Sequence, residues 1–311
     1  MSTPQRRYVA AAVVLVVVLA TGVGWLLLPS PSIADTSPAV PRSFPLVQHL
    51  AVPAYANPVA EAASWTQLAA SRPGSVGVVV ANVANGPGSR PEADWSAVIH
   101  SARASGTRVL GYVDTGYLGS PSLANPDGLP TRTGVFGRQA WLSQIESDIE
   151  AWYQYYGSDL GGVFLDESTS ACGSSSGPDQ YVAEYRMLRT RLRNEHPGAV
   201  TVLNPGIAVP NCYHDAADIL VTFEGSYANY VGAPDSQGQD FEPMHWAPAD
   251  PAQIWHIVYG ATTTASMEHA MDLSKKRGAG YVYVTDAGLP NPFGSLPSPE
   301  YWASEVAILA G

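Results

Sequence analysis

From Val47 onward, apolar runs of strand length alternate with longer stretches of helical pattern. The runs are Val47–Ala54, Val76–Val83, Arg108–Thr115, Gly162–Asp166, Val200–Asn204, Ile219–Glu224, Gln253–Tyr259 and Gly280–Thr285. Several are nearly continuous in β-branched residues, as in Val76-Gly77-Val78-Val79-Val80. Continuous rather than alternating apolarity marks a parallel strand buried on both faces. Between the runs lie amphipathic stretches at Ala60–Ser71, Trp95–Ser105, Arg138–Tyr156, Gln180–His196, Thr263–Lys276 and Pro299–Leu309. In the fourth of these, Tyr181, Tyr185, Leu188 and Leu192 recur at three- and four-residue intervals and form one apolar face. The segment around His214–Asp218 has room for only a turn of helix. Eight strands with helices between them, in roughly 265 residues, predict an α/β fold of the (β/α)₈ barrel type. An open doubly wound sheet is the alternative, because strand count alone does not prove closure.

The first 45 residues follow a different pattern. Residues 1–7 are a basic flank containing Arg6 and Arg7, and residues 8–28 contain no charge. A span of about 20 apolar residues matches the hydrocarbon core of a bilayer and exceeds the usual core of a signal peptide. The expectation is an uncleaved anchor with its N-terminus in the cytoplasm and an exported body. Cleavage after the small residues Ser32-Ile33-Ala34, giving a secreted protein, is the alternative. Residues 29–45 are rich in Pro, Ser and Thr and read as a flexible spacer, which leaves 46–311 as the barrel domain.

Composition narrows the function. Apolar residues make up 46% of the chain and charged residues 14%, with a formal net charge of -11. Nucleic acid is excluded as a partner, since phosphate binding needs clustered Lys and Arg. No Walker loop or dinucleotide fingerprint is present, no Gly-x-Ser-x-Gly elbow appears, and no His-rich cluster suggests a metal. No cofactor is expected. The two cysteines, Cys172 and Cys212, each follow a predicted strand, and in an exported protein they read as a structural disulfide between neighbouring loops. Metal binding is the weaker reading of the pair, because the spacing matches no zinc site. The expected assembly state is a monomer.

Functional groups of such a barrel project from the C-terminal ends of its strands. Read that way, the fourth run ends in Asp166-Glu167, the sixth in Glu224, the third in Asp114 with Tyr117 beyond, and the eighth in Thr285-Asp286. The fifth ends Asn204-Pro205-Gly206 and the first runs into Tyr55. Any one acid at a strand end is readily a helix cap or an Arg partner; acids at four ends are harder to explain that way. Two carboxyl groups on opposite sides of a glycosidic bond are what its hydrolysis requires. Asp166 and Glu224, on separate strands, suit that pair. Glu167 points away from Asp166 if the strand stays regular, and competes for the acid role if the loop turns it inward. Candidate substrate-binding residues are Tyr55, Asn82, Asp114, Tyr117, Asn204, Tyr227, Trp246 and Asp286. The aromatic members offer flat faces to sugar rings. Trp255 and His256, inside a strand, read as core.

These motifs resemble the spherulin-4 family (spherulation-specific family 4), which is related to endo-acting galactosaminidases. The resemblance runs from about Val47 to Leu309. It rests on Val52-Pro53-Ala54-Tyr55, Ala81-Asn82 with Asn85-Gly86-Pro87-Gly88, Val109-Leu110-Gly111-Tyr112-Val113, Trp152-Tyr153, Gly162 to Glu167, Asn204-Pro205-Gly206 and Phe223-Glu224. It implies a (β/α)₈ barrel and endo-hydrolysis of α-1,4-linked N-acetylgalactosamine or galactosamine polymers. The catalytic acids would fall on Asp166 and Glu224, with Glu167 as a close partner. The family's usual Asn-Pro-x-x-Gly-Pro-Gly is here Asn82-Val83-Ala84-Asn85-Gly86-Pro87-Gly88, a departure that bears on the substrate more than on the reaction. A carbohydrate-binding or wall-associated barrel without catalysis is the rival expectation.

Overall fold

A computed structural model describes residues 47–122, 124–173, 181–233 and 238–309. Eight strands, β1 (His49–Ala54), β2 (Val76–Ala81), β3 (Arg108–Asp114), β4 (Leu160–Asp166), β5 (Val200–Leu203), β6 (Ile219–Ser226), β7 (Ile254–Tyr259) and β8 (Tyr281–Val284), pair in parallel and in sequence order into a closed barrel. Closure removes the open-sheet alternative. The flank 1–7, the apolar run 8–28 and the spacer 29–45 lie outside the described residues. Among the described residues, no helix is long and apolar enough to cross a membrane.

Helices α1 (Ala62–Ala69), α2 (Ala93–Ala104), α3 (Arg138–Tyr156), α4 (Tyr181–Glu195), α6 (Thr264–Lys276) and α7 (Pro299–Ile308) cover the barrel. Their starts follow local chemistry. Thr263 and Ser266 form a capping box at α6, and Ser298 caps α7 with Pro299 in its first turn. Helix α3 approaches the barrel closely at Gly111 of β3. A Cβ there would lie 2.5 Å from the Trp152 ring, and the indole donates to Tyr112 O at 2.7 Å. Glycine at 111 therefore lets α3 sit directly on the strand.

No full helix follows β5 or β6. A 3₁₀ turn at Asn211–Tyr213 serves the first connection, slightly earlier than the expected 214–218. The second uses a single helical turn, α5 (Tyr227–Tyr230), and a segment that packs Phe241 against Phe223 and His256. Arg277 lies over the Phe241 and Tyr230 rings, at 3.7 and 4.3 Å from their centroids. Beneath it His256 shares hydrogen bonds with Tyr230 Oη (2.8 Å) and Thr222 Oγ1 (3.2 Å), and burial lowers its pKa to about 3. His256 and the fully buried Trp255 are thus core residues, as their place within a strand suggested.

Inside the barrel, side chains of alternate residues fill the lumen. Tyr112 stacks on Phe164 (6.3 Å between centroids), and Phe164 meets Trp255 from β7 edge to face at 5.5 Å. This aromatic plug lies one layer below the strand ends at Asp114 and Asp166. β1 and β8 pair only through His49↔Tyr281 and Leu50↔Val282, so the seam between them opens toward their C-terminal ends. There the buried Glu305 of α7 replaces a strand partner, its Oε1 accepting from Val284 N at 2.9 Å.

Burial raises the Glu305 pKa to about 8, with the Asp286 charge adding to the effect. The folded protein therefore keeps a proton that an unfolded chain, titrating near about 4.3, has lost. Stability contributed by this group falls as pH rises through that window and reaches its lowest value above pH 8. Glu305→Gln retains the amide acceptor without the ionisation. It is expected to flatten the alkaline decline, making the variant the more stable protein at pH 9 in urea melts; equal slopes for both proteins would refute this account.

Candidate active site

Strand periodicity places the first carboxylates. Residues two apart on a strand share a face, so Gly162, Phe164 and Asp166 all point inward. Asp114 follows Tyr112 by the same rule, and the register sets Asp114 directly opposite Asp166. Glu224 arrives differently. Strict alternation from Ile219 would turn Phe223 inward and Glu224 outward. A register shift between Val221 and Phe223 reverses the phase, so that Glu224 pairs with the inward Ile257 and Phe223 with the outward His256.

Asn204, just past β5, joins the two acids. Its Nδ2 donates to Asp166 Oδ1 at 2.7 Å and to Glu224 Oε2 at 2.6 Å. Two oxygens bound to one nitrogen are no farther apart than roughly the 5–5.5 Å of carboxylates that flank a single glycosidic bond in a double displacement. The buried Asn204 Oδ1 has no hydrogen-bond partner in the protein.

Glu167 keeps its carboxyl within the fields of Asp114 and Asp166. Its φ is +50°, a left-handed conformation that interrupts the alternation of β4. Four non-glycine residues among those described have positive φ: Asn85, Tyr117, Leu118 and Glu167. All lie on loops after β2, β3 and β4, around the acids, and such strained positions concentrate at functional sites. Tyr117, at 42% exposure, stands over the cluster, and partial burial together with Glu167, Asp166, Glu224 and Asp114 pushes its hydroxyl up to about 12.

Electrostatics separates the acids. Burial raises all four. Glu224 reaches about 7, through burial, the Asp166 charge second, and Glu167 reaches about 7, through burial with the charges of Asp114 and Asp166. Asp166 is also raised by burial, but the nearby Tyr112 hydroxyl, the Asn204 amide at 2.7 Å and the Glu167 backbone counter that and favour its ionised form. Asp114 is raised by burial, opposed by Gly116 N at 2.9 Å and by the nearby Arg132. Arg132 itself is held in a bidentate pair with the buried Asp148 at 2.5 and 2.7 Å. Among the described residues, no Lys or Arg pairs with Asp166, Glu167 or Glu224, so a structural ion pair does not account for them.

The other candidates distribute as follows. Tyr55 packs edge to face on Tyr112 and Phe293, at 5.5 and 5.6 Å, and lies within the fields of Asp166 and Glu224. Asn82 acts one step back, its Oδ1 accepting from Gly86 N at 3.1 Å to hold the loop that carries Asn85. Asn85 Nδ2 in turn reaches Asp114 Oδ2 at 3.4 Å. Tyr227 shares a hydrogen bond with His269 of α6 at 2.9 Å, and Trp246 Nε1 donates to Val209 O at 2.8 Å. Asp286 exerts its charge on Tyr283, Tyr301 and Glu305, toward the β8–α7 side. Tyr112 was not singled out from the sequence as a site residue, although its place two residues before Asp114 is the signal that marks it. Cys172 and Cys212 form a disulfide joining the loops after β4 and β5. Among the described residues no group of His, Cys, Asp and Glu side chains is placed to hold a metal ion.

Comparison with known proteins bears on the fold and the family. Among solved structures the chain is similar to Aspergillus clavatus Sph3 in complex with GalNAc, with 19% identity, a TM-score of 0.62, and 86% of this chain and 98% of that one covered. At that identity the likeness shows a shared barrel fold. The spore cortex-lytic enzyme SleL of Bacillus cereus matches at 11% identity and TM-score 0.47, over 83% of this chain and 74% of that one. A family GH18 chitinase from Chromobacterium violaceum matches at 12% and 0.45, over 85% and 84%. No curated protein matches the chain. The family model described as spherulation-specific family 4 (Spherulin4) matches residues 49–309, from the first strand to the end of the last helix, and the chain belongs to that family.

Proposed function

We propose that the protein is an exported glycoside hydrolase that cleaves amino-sugar polysaccharide, with α-1,4-linked N-acetylgalactosamine or galactosamine as the substrate class. The observation that carries this reading is the Asn204 amide held between Asp166 and Glu224. Close spacing of the two acids supports a double displacement with retention. Asp166, the better solvated by hydrogen bonds, attacks the anomeric carbon as the carboxylate. Glu224, holding its proton near neutral pH, delivers it to the departing glycosidic oxygen. Water then attacks the glycosyl ester, Glu224 takes up the water proton, and Asp166 leaves as the carboxylate. Tyr117 supplies a flat face for a sugar ring, while Glu167 and Asp114 give the cleft a negative flank that suits a protonated amine as well as its acetylated form. The choice of sugar is supported by the family and by the GalNAc present in the Sph3 complex. Export, either on the 8–28 tether or after its removal, is supported by that apolar run and by the disulfide.

The deciding experiment offers the full chain a panel of polysaccharides, including α-1,4-linked galactosamine polymers with and without N-acetylation. Products are read by mass spectrometry and their anomeric form by proton NMR at early times. Oligosaccharides released with retained configuration support the assignment. Binding of one polymer without cleavage would replace it with the carbohydrate-binding reading.

A further inference from the structure

The left-handed turn at Glu167 is held chiefly from beneath. A residue bearing a Cβ is strained in this conformation, so it persists where its surroundings over-determine it. Hydrogen bonds converge on the carbonyls of Asp166 and Glu167. Thr115 N donates to Asp166 O at 3.1 Å, and Tyr117 N to Glu167 O at 2.6 Å. The Thr115 hydroxyl reaches both carbonyls, Asp166 O at 2.7 Å and Glu167 O at 2.9 Å. Thr115 is fully buried, so water does not compete for these acceptors. The Thr115 N donor would survive any substitution at position 115 other than proline; the hydroxyl at this place survives only in serine.

Thr115 has its own support. The Tyr185 phenol of α4 lies beside Thr115, which eases its ionisation, and its oxygen accepts from Thr169 N at 3.0 Å. The Tyr213 hydroxyl donates to Thr169 O and to Ala171 O, the latter at 3.1 Å. Tyr213 follows Cys212, whose bridge to Cys172 closes the circuit between the two loops. Both tyrosines are fully buried and have no surface to offer a substrate. A continuous set of contacts therefore runs from the disulfide to the turn that carries two acids of the cleft.

We infer that Thr115 is a positioning residue: its hydroxyl holds the Asp166–Glu167 turn in the left-handed form that brings the Glu167 carboxyl into the cleft, on a footing of Tyr185, Tyr213 and the Cys172–Cys212 bridge. The effect on turnover rests on the glycosidase reading; the placement of Glu167 does not. A threonine that only stabilised the fold would lower Tm when altered and leave the acids where they are.

The test compares Thr115→Val, which removes the hydroxyl, with Thr115→Ser, which keeps it. The full-length protein carries ¹³C-labelled glutamate carboxyls, and the Glu167 resonance is assigned by its loss in Glu167→Gln. In the parent and in Thr115→Ser, Glu167 titrates near its raised value of about 7. In Thr115→Val it moves down toward the ordinary glutamate value of about 4.3. On the cleaved polymer, kcat falls about tenfold or more in Thr115→Val with KM within about twofold, and serine restores it. A folded Thr115→Val with an unmoved Glu167 titration overturns the inference, as does a serine variant that behaves like valine. Should the valine variant not fold, Tyr185→Phe takes its place. A lowered Glu167 titration then supports the inference, and an unchanged one rejects it. If the parent cleaves no polymer, the glycosidase reading fails, and the titration still decides the role of Thr115.

Discussion

Asp166→Asn is expected to reduce kcat on the cleaved polymer by roughly 10⁴-fold, the scale on which loss of a nucleophile is felt. The amide keeps an oxygen where Asn204 Nδ2 donates at 2.7 Å, so the geometry of the bridge has no reason to change. What disappears is the negative charge that the proposed mechanism uses to attack the anomeric carbon. Stability should stay level or rise, because burial works against the ionised form of Asp166 and Asp114 stands opposite it in register. Activity loss without loss of Tm separates a chemical role from a structural one. The measurement pairs initial rates, read as new reducing ends, with a thermal melt. Near-parental kcat in a folded variant would remove Asp166 from the chemistry, and with it the two-acid mechanism.

The fold was far more legible in the sequence than the site, for reasons visible at particular residues. All eight strands were readable because both faces of a barrel strand are buried, and burial writes itself as an apolar run such as Val76 to Val80. Helix α3 matched from Arg138 to Tyr156, and α6 matched the stretch expected from Thr263 to Lys276 apart from Thr263 itself, which caps it. The connections after β5 and β6 were less legible, since a 3₁₀ turn or a four-residue helix is too short to show a period. At the site, strand-end position singled out Asp166 and Glu224 alike, and the direction of Asp166 followed from alternation. That of Glu224 did not: only the register shift after Val221 turns it inward, and a bulge leaves no mark in the pattern of one strand. The direction of Glu167 depended on one backbone angle, and both outcomes were compatible with the sequence. Tyr227, Trp246 and Asp286 sit near strand ends or on the loops beyond them, yet proximity in sequence does not set direction. The first two direct their polar atoms to His269 and Val209, and the third lies toward α7. Asn204 could be assigned to the cleft, but its position between two acids from different strands is a property of the closed barrel.

Glu224→Gln carries the second large effect, and its diagnostic value lies in how the loss depends on the leaving group. On the polymer, kcat/KM is expected to fall by roughly 10³-fold, within the range for removal of a general acid. The alkaline limb of the pH profile, set near pH 7 by a proton that burial and the Asp166 charge hold on Glu224, should disappear with it. The sign follows from the role: the acid works while protonated, so parental activity declines as pH rises through the Glu224 pKa. A nitrophenyl glycoside of the same sugar departs as a stabilised phenolate and needs no proton, so on that substrate the variant should lose far less in the first step. Glu167 is the control, since it also rises to about 7 and shares the cleft. If Glu167→Gln rather than Glu224→Gln spares the activated substrate and loses the alkaline limb, the acid is Glu167, and the Asn204 bridge then joins the nucleophile to a carboxylate that only steadies it. If both variants lose equally on both substrates, neither acts as the proton donor. The preference for Glu224 rests on the shared Asn204 nitrogen, which fixes its distance from Asp166, whereas Glu167 directly follows Asp166 in the chain, just past β4, and shares no such bridge with it.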